Sequence, residues 1–351
     1  KMQASGVRPN KITFIAILKA CSTSMELNLG NLVHDYIIKY GNESDVCVAN
    51  ALIHAYTECG ILQNAMLIFD TLQKRDVVTW TVIIAAHVQH GCFEDAVLLL
   101  NRMQHQGIEP NYATFISTFK SCSSPSALRL GKGLHSQVIE DGLDSDLSII
   151  NSVIHMYGKC GTLMDSLSIF YTMPKRDVIT WSTMITMLFE HGLCVEAVNL
   201  YEDMLNDGLE PNHVTLLSIL KACLTLHIFE QGQVAHSHIY ENGLESDMSI
   251  CNTLIDMYAK SGALANAKRV FDKMVRKDVV TWTTVIEGYT QQECSQDALI
   301  YFGKMMQMGI MPNRVTLLSV LGACCNVTAI QQGKVIHAYI VEQGYEHDPN
   351  I

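Results

Sequence analysis

Apolar side chains recur at the spacing of an α-helix throughout the chain, in segments separated by short turns. In one such segment Ala65, Phe69 and Leu72 stand at i, i+4 and i+7, and the same spacing returns in later segments. A stripe with this period is typical of a helix with one buried face. Gly60 fits the turn between two such helices, and Gly107, just before a Pro-Asn pair, fits a helix end. No segment combines strand-like alternation with hairpin turns, so the pattern predicts an all-α protein.

The helical pattern itself repeats every 101 residues. The tryptophans Trp80, Trp181 and Trp282 keep that distance, and the same step separates glycines, histidines and cysteines along the chain. Four Pro-Asn pairs keep it as well and end at Asn10, Asn111, Asn212 and Asn313. A period that is held without drift over the whole chain indicates tandem structural repeats.

Each period divides into three units, which we call the long, short and Trp units. They have 35, 31 and 35 residues, and each holds two helical segments. The boundaries are 1–10 for the end of a Trp unit, 11–45 long, 46–76 short, 77–111 Trp, 112–146 long, 147–177 short, 178–212 Trp, 213–247 long, 248–278 short, 279–313 Trp, 314–348 long, and 349–351 for the start of a short unit. Units of this size cannot bury an apolar stripe alone, so they should stack into a solenoid with one layer of first helices and one of second helices. The first helices should line the concave face and begin near residues 12, 47, 78, 113, 148, 179, 214, 249, 280 and 315.

Composition narrows the class of protein. Hydrophobic residues make up 48% of the 351 residues, which is too large a share for a disordered chain. No apolar run approaches the ~18 residues that a membrane-spanning helix needs, and Lys1 to Ala4 show no signal-peptide pattern. The 12 cysteines form no C-x-x-C pair and several lie in apolar helical runs, so we expect them to be reduced and mostly buried.

The net charge bears on any nucleic-acid partner. Lys and Arg total 24 and Asp and Glu total 35, which gives −11. A protein whose affinity rests on phosphate contacts is usually basic. If this chain binds a nucleic acid, the acidic residues should therefore concentrate on the second helices, with lysines nearer the groove, and binding should be weak and sensitive to salt.

Three short segments of the sequence resemble a known repeat family. They are Val-Val-Thr-Trp-Thr at 77–81, Asn-Ser-Val-Ile-His-Met-Tyr-Gly-Lys-Cys-Gly at 151–161, and Met-Pro-Lys-Arg-Asp at 173–177. They look like pentatricopeptide repeats. The alternation of 35, 35 and 31 residues is similar to the plant class built of P, L and S motifs, with the Trp, long and short units in those places. The resemblance covers the whole chain.

The resemblance implies a right-handed superhelical solenoid in a mitochondrial or chloroplast protein. It also implies sequence-specific binding of single-stranded RNA with one nucleotide per repeat. The P-L-S class resembles specificity factors for cytidine-to-uridine editing, which often carry a C-terminal deaminase-like domain, and accessory proteins bind the L motifs of some members. The H-x-E and P-C-x-x-C motifs of that domain are absent from this sequence. We therefore expect no catalytic residue, metal or cofactor in this chain.

Two positions in each unit are candidates for base reading. The pairs of fifth and last residues are Asn50 with Asp76, Thr81 with Asn111, Asn151 with Asp177, Ser182 with Asn212, Asn252 with Asp278, and Thr283 with Asn313. An Asn amide can match the mixed edge of a pyrimidine, and a shorter hydroxyl leaves room for a purine. The resemblance implies U for Asn with Asp and A for Thr or Ser with Asn. Read 5′ to 3′ from residue 46, this predicts U-A-N-U-A-N-U-A-N, where N marks the long units with their apolar fifth residues.

Both positions also have simpler explanations. Asp and Asn directly before a helix are preferred N-caps, and a Ser, Thr or Asn one turn into a helix can be solvated or bond to the carbonyl four residues earlier. Capping does not explain why Asp always accompanies Asn while Asn always accompanies Thr or Ser. Shared descent of the three periods could preserve that division without any use.

Further candidates lie on the same helices. The second residues of the Trp units sandwich bases in the family, or simply pack, and they are Val78, Ile179 and Val280. The short units depart from this preference with Cys47, Ser148 and Ser249. Lysines that could reach phosphates, or merely be solvated, are Lys19, Lys120, Lys221, Lys159 and Lys260. The tryptophans and the periodic His and Cys of the long units are expected in the core or between repeats.

The leading hypothesis is a non-catalytic RNA-binding module that does not enter a membrane. The alternative is a protein- or peptide-binding helical-repeat scaffold, which the acidic charge favours. The recurring polar pairs, and the lack of an Arg or aromatic hot-spot set, disfavour that alternative. An enzyme is disfavoured because no nucleophile–base set and no metal-ligand spacing is present.

Overall fold

The computed structural model describes residues 8–122, 124–326, 329–342 and 344, and within them every regular element is helical. The first helices are α1 Lys11–Ser24, α3 Val46–Glu58, α5 Val77–Gln89, α7 Tyr112–Ser121, α9 Leu147–Lys159, α11 Val178–Glu190, α13 His213–Leu226, α15 Met248–Lys260, α17 Val279–Gln291 and α19 Arg314–Asn326. The second helices are α2 Leu27–Lys39, α4 Leu62–Thr71, α6 Phe93–His105, α8 Leu128–Glu140, α10 Leu163–Thr172, α12 Cys194–Asn206, α14 Phe229–Glu241, α16 Leu264–Lys273, α18 Ser295–Gln307 and α20 Ile330–Glu342. A 3-10 turn, Pro125–Ala127, precedes α8. The predicted all-α class is confirmed.

Each first helix begins one residue before the predicted start. The reason is visible at α5, where Asp76 is extended and its carboxylate accepts the backbone N–H of Thr79, so the helix starts at the next residue, Val77. The parts assigned to 1–7 and 345–351, which include most of the first fragment and the end of the last long unit, lie outside the described residues.

Glycines end the helices as predicted. Gly60, between α3 and α4, has φ +79°, and Gly107, after α6, has φ +71°. Residues with a Cβ rarely adopt this left-handed conformation, so glycine is favoured where the chain turns from one helix to the next.

The chain divides into two compact bodies, Lys1–Arg176 and Asp177–Ile351. In the first body, α1, α3, α5, α7 and α9 pack one on the next. The second body repeats this order with α11, α13, α15, α17 and α19. Each second helix packs against the first helix of its own unit. Within each body the helices therefore form two layers, as the unit size predicted.

The tryptophans belong to the core, which confirms the prediction. Trp80 is fully buried, and its ring meets Phe69 edge-on with centroids 4.8 Å apart. Trp282 meets Phe271 in the same way at 4.9 Å, and Trp181 is also buried. Edge-to-face packing of this kind stabilises aromatic pairs beyond their buried area. No tryptophan is therefore placed to stack on a base.

The periodic residues of the long units join neighbouring repeats, also as predicted. His135 on α8 lies 3.1 Å from the Tyr157 hydroxyl on α9, and His34 and His236 make the equivalent contact at 2.9 and 2.7 Å. Burial lowers the pKa of these three imidazoles. The cysteines of the same series are buried, and they are Cys21, Cys122, Cys223 and Cys324. All 12 cysteines are free thiols.

Two further properties complete the description. Among the described helices, none has the length and apolar character needed to cross a membrane. In the same part of the chain, no group of three or more His, Cys, Asp and Glu side chains is arranged to hold a metal ion.

Candidate nucleic-acid interface

The short unit 46–76 brings its fifth and last residues into contact. Asp76 caps α5, and its Oδ1 accepts hydrogen bonds from the backbone and hydroxyl of Thr79, both at 2.8 Å. The Asn50 amide on α3 donates to the same oxygen at 3.4 Å. Burial raises the pKa of Asp76, but the hydrogen bonds from Thr79 and Asn50 outweigh it and hold the pKa below its ordinary value. Asp76 is thus both a helix cap and the partner of Asn50, and it carries a negative charge at neutral pH.

The Trp units join the same two positions through a third residue. Asn111 caps α7, and its Oδ1 accepts from the backbone and hydroxyl of Thr114 at 3.0 and 3.1 Å. The Thr81 hydroxyl lies 2.7 Å from that Thr114 hydroxyl. The other Trp units repeat this arrangement with Ser182, Thr215 and Asn212, and with Thr283, Thr316 and Asn313. The sequence interpretation missed the threonine, although its recurrence as the third residue of the long units was visible.

Each capping side chain uses its Oδ1 in the cap. The second polar atom of that side chain, which remains available to a ligand, differs between short and Trp units. On Asp76 it is a second carboxylate oxygen, which can only accept a hydrogen bond. On Asn111 it is the amide nitrogen, which can only donate. The orientation of the Asn111 amide follows from its cap, since Oδ1 must face the two Thr114 donors.

The fifth residues of two short units, Asn50 and Asn252, also hold an unused acceptor. The Oδ1 atoms of Asn50 and Asn252 are buried, and no hydrogen bond reaches them from the described part of the chain. An acceptor buried without a partner costs about 1–3 kcal/mol. Asn151, in the same position, is buried as well.

The second residues of the Trp units stand at the surface. Val78, Ile179 and Val280 are 51%, 59% and 49% exposed, so packing within the chain covers only about half of each side chain. The long units present the same feature, which the sequence interpretation missed, at Ile12, Val214 and Val315. The small residues Cys47, Ser148 and Ser249 of the short units are exposed too.

The candidate lysines differ in their surroundings. Lys19, Lys120 and Lys221 are exposed on first helices of long units. Lys260 instead pairs with Asp256, one turn earlier on α15, at 3.0 Å. Lys159 is half-buried at the end of α9.

An open pocket of about 410 Å³ in the second body gathers several of these groups. Lys221, Asn252 and Lys260 line it together with the carboxylates of Asp256 and Glu287. The fifth residue of a short unit therefore shares one concave surface with two of the candidate lysines. The two acidic neighbours were not anticipated.

The first and second helices differ in their numbers of acidic and basic residues. Over the described helices, the acidic residues of the first helices are Glu58, Glu190, Asp256 and Glu287, and the basic ones are Lys11, Lys19, Lys120, Lys159, Lys221, Lys260 and Arg314. The second helices carry the acidic residues Asp35, Asp70, Glu94, Asp95, Glu140, Asp165, Glu196, Glu202, Asp203, Glu230, Glu241, Asp272, Asp297 and Glu342. Their basic residues are Lys39, Arg102, Arg129, Lys132, Lys268, Arg269, Lys273, Lys304 and Lys334. Within the helices themselves, basic residues therefore outnumber acidic ones on the first helices and acidic residues outnumber basic ones on the second. The N-caps of the first helices add six carboxylates at their starts, which are Asp45, Asp76, Asp146, Asp177, Asp247 and Asp278. The expected separation of charge between the two layers stays a prediction.

Family models match much of the chain. The model of the PPR repeat family matches residues 75–124, 176–225 and 277–326. The model of the PPR repeat matches residues 47–77, 148–178 and 249–279. Together these matches cover well over half of the chain.

Two Arabidopsis thaliana proteins illustrate the sequence likeness. A chloroplastic pentatricopeptide repeat-containing protein is 32% identical over 339 residues, which is 97% of this chain and 39% of that protein. A mitochondrial one is 34% identical over 340 residues, which is 96% of this chain and 44% of that protein. The chain thus spans less than half the length of these relatives.

Solved structures share the fold. The pentatricopeptide repeat protein PPR10 in complex with an 18-nt psaJ RNA element superposes with a TM-score of 0.57 at 20% identity, covering 97% of this chain and 52% of that chain. PPR10 from maize superposes with a TM-score of 0.51 at 17% identity, covering 98% and 60%.

Proposed function

Because this chain belongs to the pentatricopeptide repeat family, we propose that it binds single-stranded RNA along the N-terminal turns of its first helices, with one nucleotide per unit. The observation that carries the proposal is the geometry of the caps. In the short unit 46–76, the fifth residue Asn50 touches the last residue Asp76. In each Trp unit the same two positions are joined through a threonine. A helix cap needs no fifth residue, so this second contact supports a role beyond capping.

The leftover atoms support the predicted bases. The free carboxylate oxygen of Asp76 can accept the N3–H of uracil. The free amide of Asn111 can donate to N1 of adenine. Repeating these assignments gives U opposite the short units and A opposite the Trp units, which is the U-A-N-U-A-N-U-A-N order read 5′ to 3′.

The remaining groups complete the proposed binding surface. Val78, Ile179 and Val280 would sandwich the bases, since an exposed aliphatic side chain gains by covering a base. The exposed lysines Lys120 and Lys221 would contact phosphates, whereas Lys260, paired with Asp256, contributes less.

The biological setting is also a proposal. We propose a mitochondrial or chloroplast RNA-editing or processing factor, in line with relatives named for those organelles. This array would supply recognition and no catalysis, with accessory proteins on the long units. A peptide-binding scaffold is the second candidate, because Asp256 and Glu287 place negative charge in the concave pocket of the second body.

A pair of RNAs with equal composition tests the proposal. We expect (UAC)3 to bind more tightly than (AUC)3 by at least about 5-fold, the lower end of what a lost base contact costs. The corresponding DNA and the duplex should bind more weakly than (UAC)3 RNA in fluorescence anisotropy. Equal affinity for both RNAs would contradict base reading, and equal affinity for RNA, DNA and duplex would contradict the proposed ligand.

A further inference from the structure

The third residue of the long units lies at the centre of the contact between fifth and last residues in the Trp units. Thr114 is fully buried, and its hydroxyl lies 3.1 Å from Oδ1 of Asn111 and 2.7 Å from the hydroxyl of Thr81. Thr215 and Thr316 are equally buried and make the same two contacts, at 3.1 and 2.7 Å and at 2.9 and 2.6 Å.

Capping alone does not require this hydroxyl. Asp45 caps α3, and its Oδ1 accepts hydrogen bonds from the backbone N–H groups of Cys47 and Val48 at 2.9 and 3.2 Å. The third residue of that short unit is Val48, which is fully buried and has no hydroxyl. At the cap of α7 the Thr114 hydroxyl completes a capping box, in which the backbone N–H of Asn111 donates to it at 3.3 Å. It also contacts the fifth residue of the preceding unit, which a capping box does not require.

Whether the third residue of a unit carries a hydroxyl correlates with the polarity of the fifth residue in the unit before it. Where the preceding unit has a polar fifth residue, the third residue is threonine, and these are Thr79, Thr180, Thr281, Thr114, Thr215 and Thr316. Where the preceding unit is a long unit with an apolar fifth residue, the third residue is Val48, Ile149 or Ile250. The buried hydroxyl thus accompanies a polar fifth residue in the preceding unit, and it contacts that residue directly at Thr114, Thr215 and Thr316.

The positions of the hydroxyl protons determine whether Thr81 donates or accepts a hydrogen bond when a ligand binds. Each hydroxyl has one proton, and the Thr81 hydroxyl can give it to the carbonyl of Val77 at 2.8 Å or to Thr114 at 2.7 Å. Both choices keep the proton inside the protein, so Thr81 offers a ligand only an acceptor lone pair. In both cases the backbone N–H of Thr114 donates to Oδ1 of Asn111 at 3.0 Å, and the Thr114 hydroxyl donates to the same oxygen when it accepts the proton of Thr81. The amide nitrogen of Asn111 then remains for the ligand.

We propose that Thr114, Thr215 and Thr316 are positioning residues that set the base preference of the Trp unit before them. They fix the hydrogen-bond polarity of its fifth and last residues. The inference rests on the proposed RNA-reading function. The long units therefore contribute to recognition through their third residue, although their own fifth residues are apolar.

The test compares Thr114→Val, which removes the hydroxyl, with Thr114→Ser, which retains it, in the full chain. Affinities are measured for four RNAs that differ only at the nucleotide opposite unit 77–111, and for four that differ only opposite unit 178–212. We expect Thr114→Val to reduce the preference for A at the first nucleotide by roughly 2- to 10-fold, the worth of one hydrogen bond. The preference at the second nucleotide should not change, and Thr114→Ser should keep both. Thr215→Val should give the reciprocal result.

Thr13→Val supplies the matched control. Thr13 makes the same cap, with its backbone and hydroxyl both 3.0 Å from Oδ1 of Asn10, and it lies outside both units whose nucleotides are compared. The Thr13→Val variant should lower the midpoint of thermal unfolding and leave the base preferences at both nucleotides intact. If Thr114→Val weakens all four RNAs by one common factor, the hydroxyl is only part of a cap and the inference is wrong. If the wild-type chain itself has no preference at that nucleotide, the proposed function fails first.

Discussion

Replacing Gly131 with alanine should loosen the contact between α8 and α9, whereas the same change at Gly30 should not. A Cβ on Gly131 would lie 2.4 Å from Sδ and 2.8 Å from Cε of Met156, well inside the ~3.5–4.0 Å of ordinary contact. Met156 is fully buried and cannot swing into solvent. One period earlier, a Cβ on Gly30 would meet nothing within 4 Å, and Ala55 stands in the place of Met156.

The expected magnitudes follow from two opposing effects. Alanine in place of a helical glycine gains about 1 kcal/mol in helix propensity, so Gly30→Ala should raise the free energy of unfolding by about 0.5–1 kcal/mol. At Gly131 the same gain is opposed by overpacking, which costs about 1–3 kcal/mol. We therefore expect Gly131→Ala to be less stable than Gly30→Ala by about 1–3 kcal/mol.

Urea denaturation followed by far-UV circular dichroism compares the two variants. Because repeat arrays need not unfold in one transition, amide hydrogen exchange in α8 and α9 should accompany it. In the double variant Gly131→Ala, Met156→Ala, the shorter side chain at position 156 should restore part of the protection from hydrogen exchange in α8 and α9. If Gly131→Ala raises the denaturation midpoint as much as Gly30→Ala does, Met156 repacks without cost and the reasoning from the contact distances is wrong.

Two further predictions concern charge. Since burial lowers the pKa of His135, whose imidazole meets Tyr157, stability should be full above the ordinary histidine pKa of about 6.5 and should fall as the pH drops below it. His135→Gln should reduce that fall in urea midpoints measured between pH 7.5 and 5, and an unchanged pH dependence would contradict the assignment. Lys120→Ala should reduce the slope of log K against log salt for RNA binding by about 0.7, the contribution of one phosphate contact on a single strand. Lys132→Ala, which removes a second-helix lysine paired with Asp165 at 3.4 Å, should leave the slope unchanged, and equal slopes in both variants would argue against a phosphate contact at Lys120.

The sequence was sufficient for the first helices because local signals agreed at their starts. At the start of α5, for example, Asp76 is a strong N-cap, and Gly60 marks the preceding turn. The apolar stripe then identifies the buried face. Local chemistry of this kind depends on neighbours in sequence, and the 101-residue period supplied independent copies of each signal.

The contacts that cross between repeats were harder to predict. Thr114 and Thr81 lie 33 residues apart and meet only because α5 and α7 pack side by side. In the sequence alone, Thr114 is indistinguishable from an ordinary capping-box residue. Lys260 presents the opposite case. Its partner Asp256 is one helical turn away, so that ion pair was accessible to sequence reasoning and was overlooked.

The net charge of the whole chain does not describe any one face of the molecule. A total of −11 describes the whole chain, whereas binding depends on the face that a ligand meets. Basic residues outnumber acidic ones on the first helices, but six capping aspartates, Asp76 among them, add negative charge at the starts of those helices. Asp256 and Glu287 add further negative charge in the concave pocket of the second body.

Changing Asn111 to Asp tests the central claim, base reading by the fifth and last residues, most directly. Asp caps a helix as well as Asn does, so the fold should be retained, while the free donor becomes an acceptor. Affinities of both proteins would be measured for RNAs that differ only at the nucleotide opposite unit 77–111. We expect the preference there to move from A toward G, whose N1–H can be accepted by the carboxylate. The change in relative affinity should be about 5- to 150-fold, the equivalent of about 1–3 kcal/mol. If the variant and the wild-type chain prefer the same base at that nucleotide, Asn111 is a helix cap alone and the reading scheme does not hold for this protein.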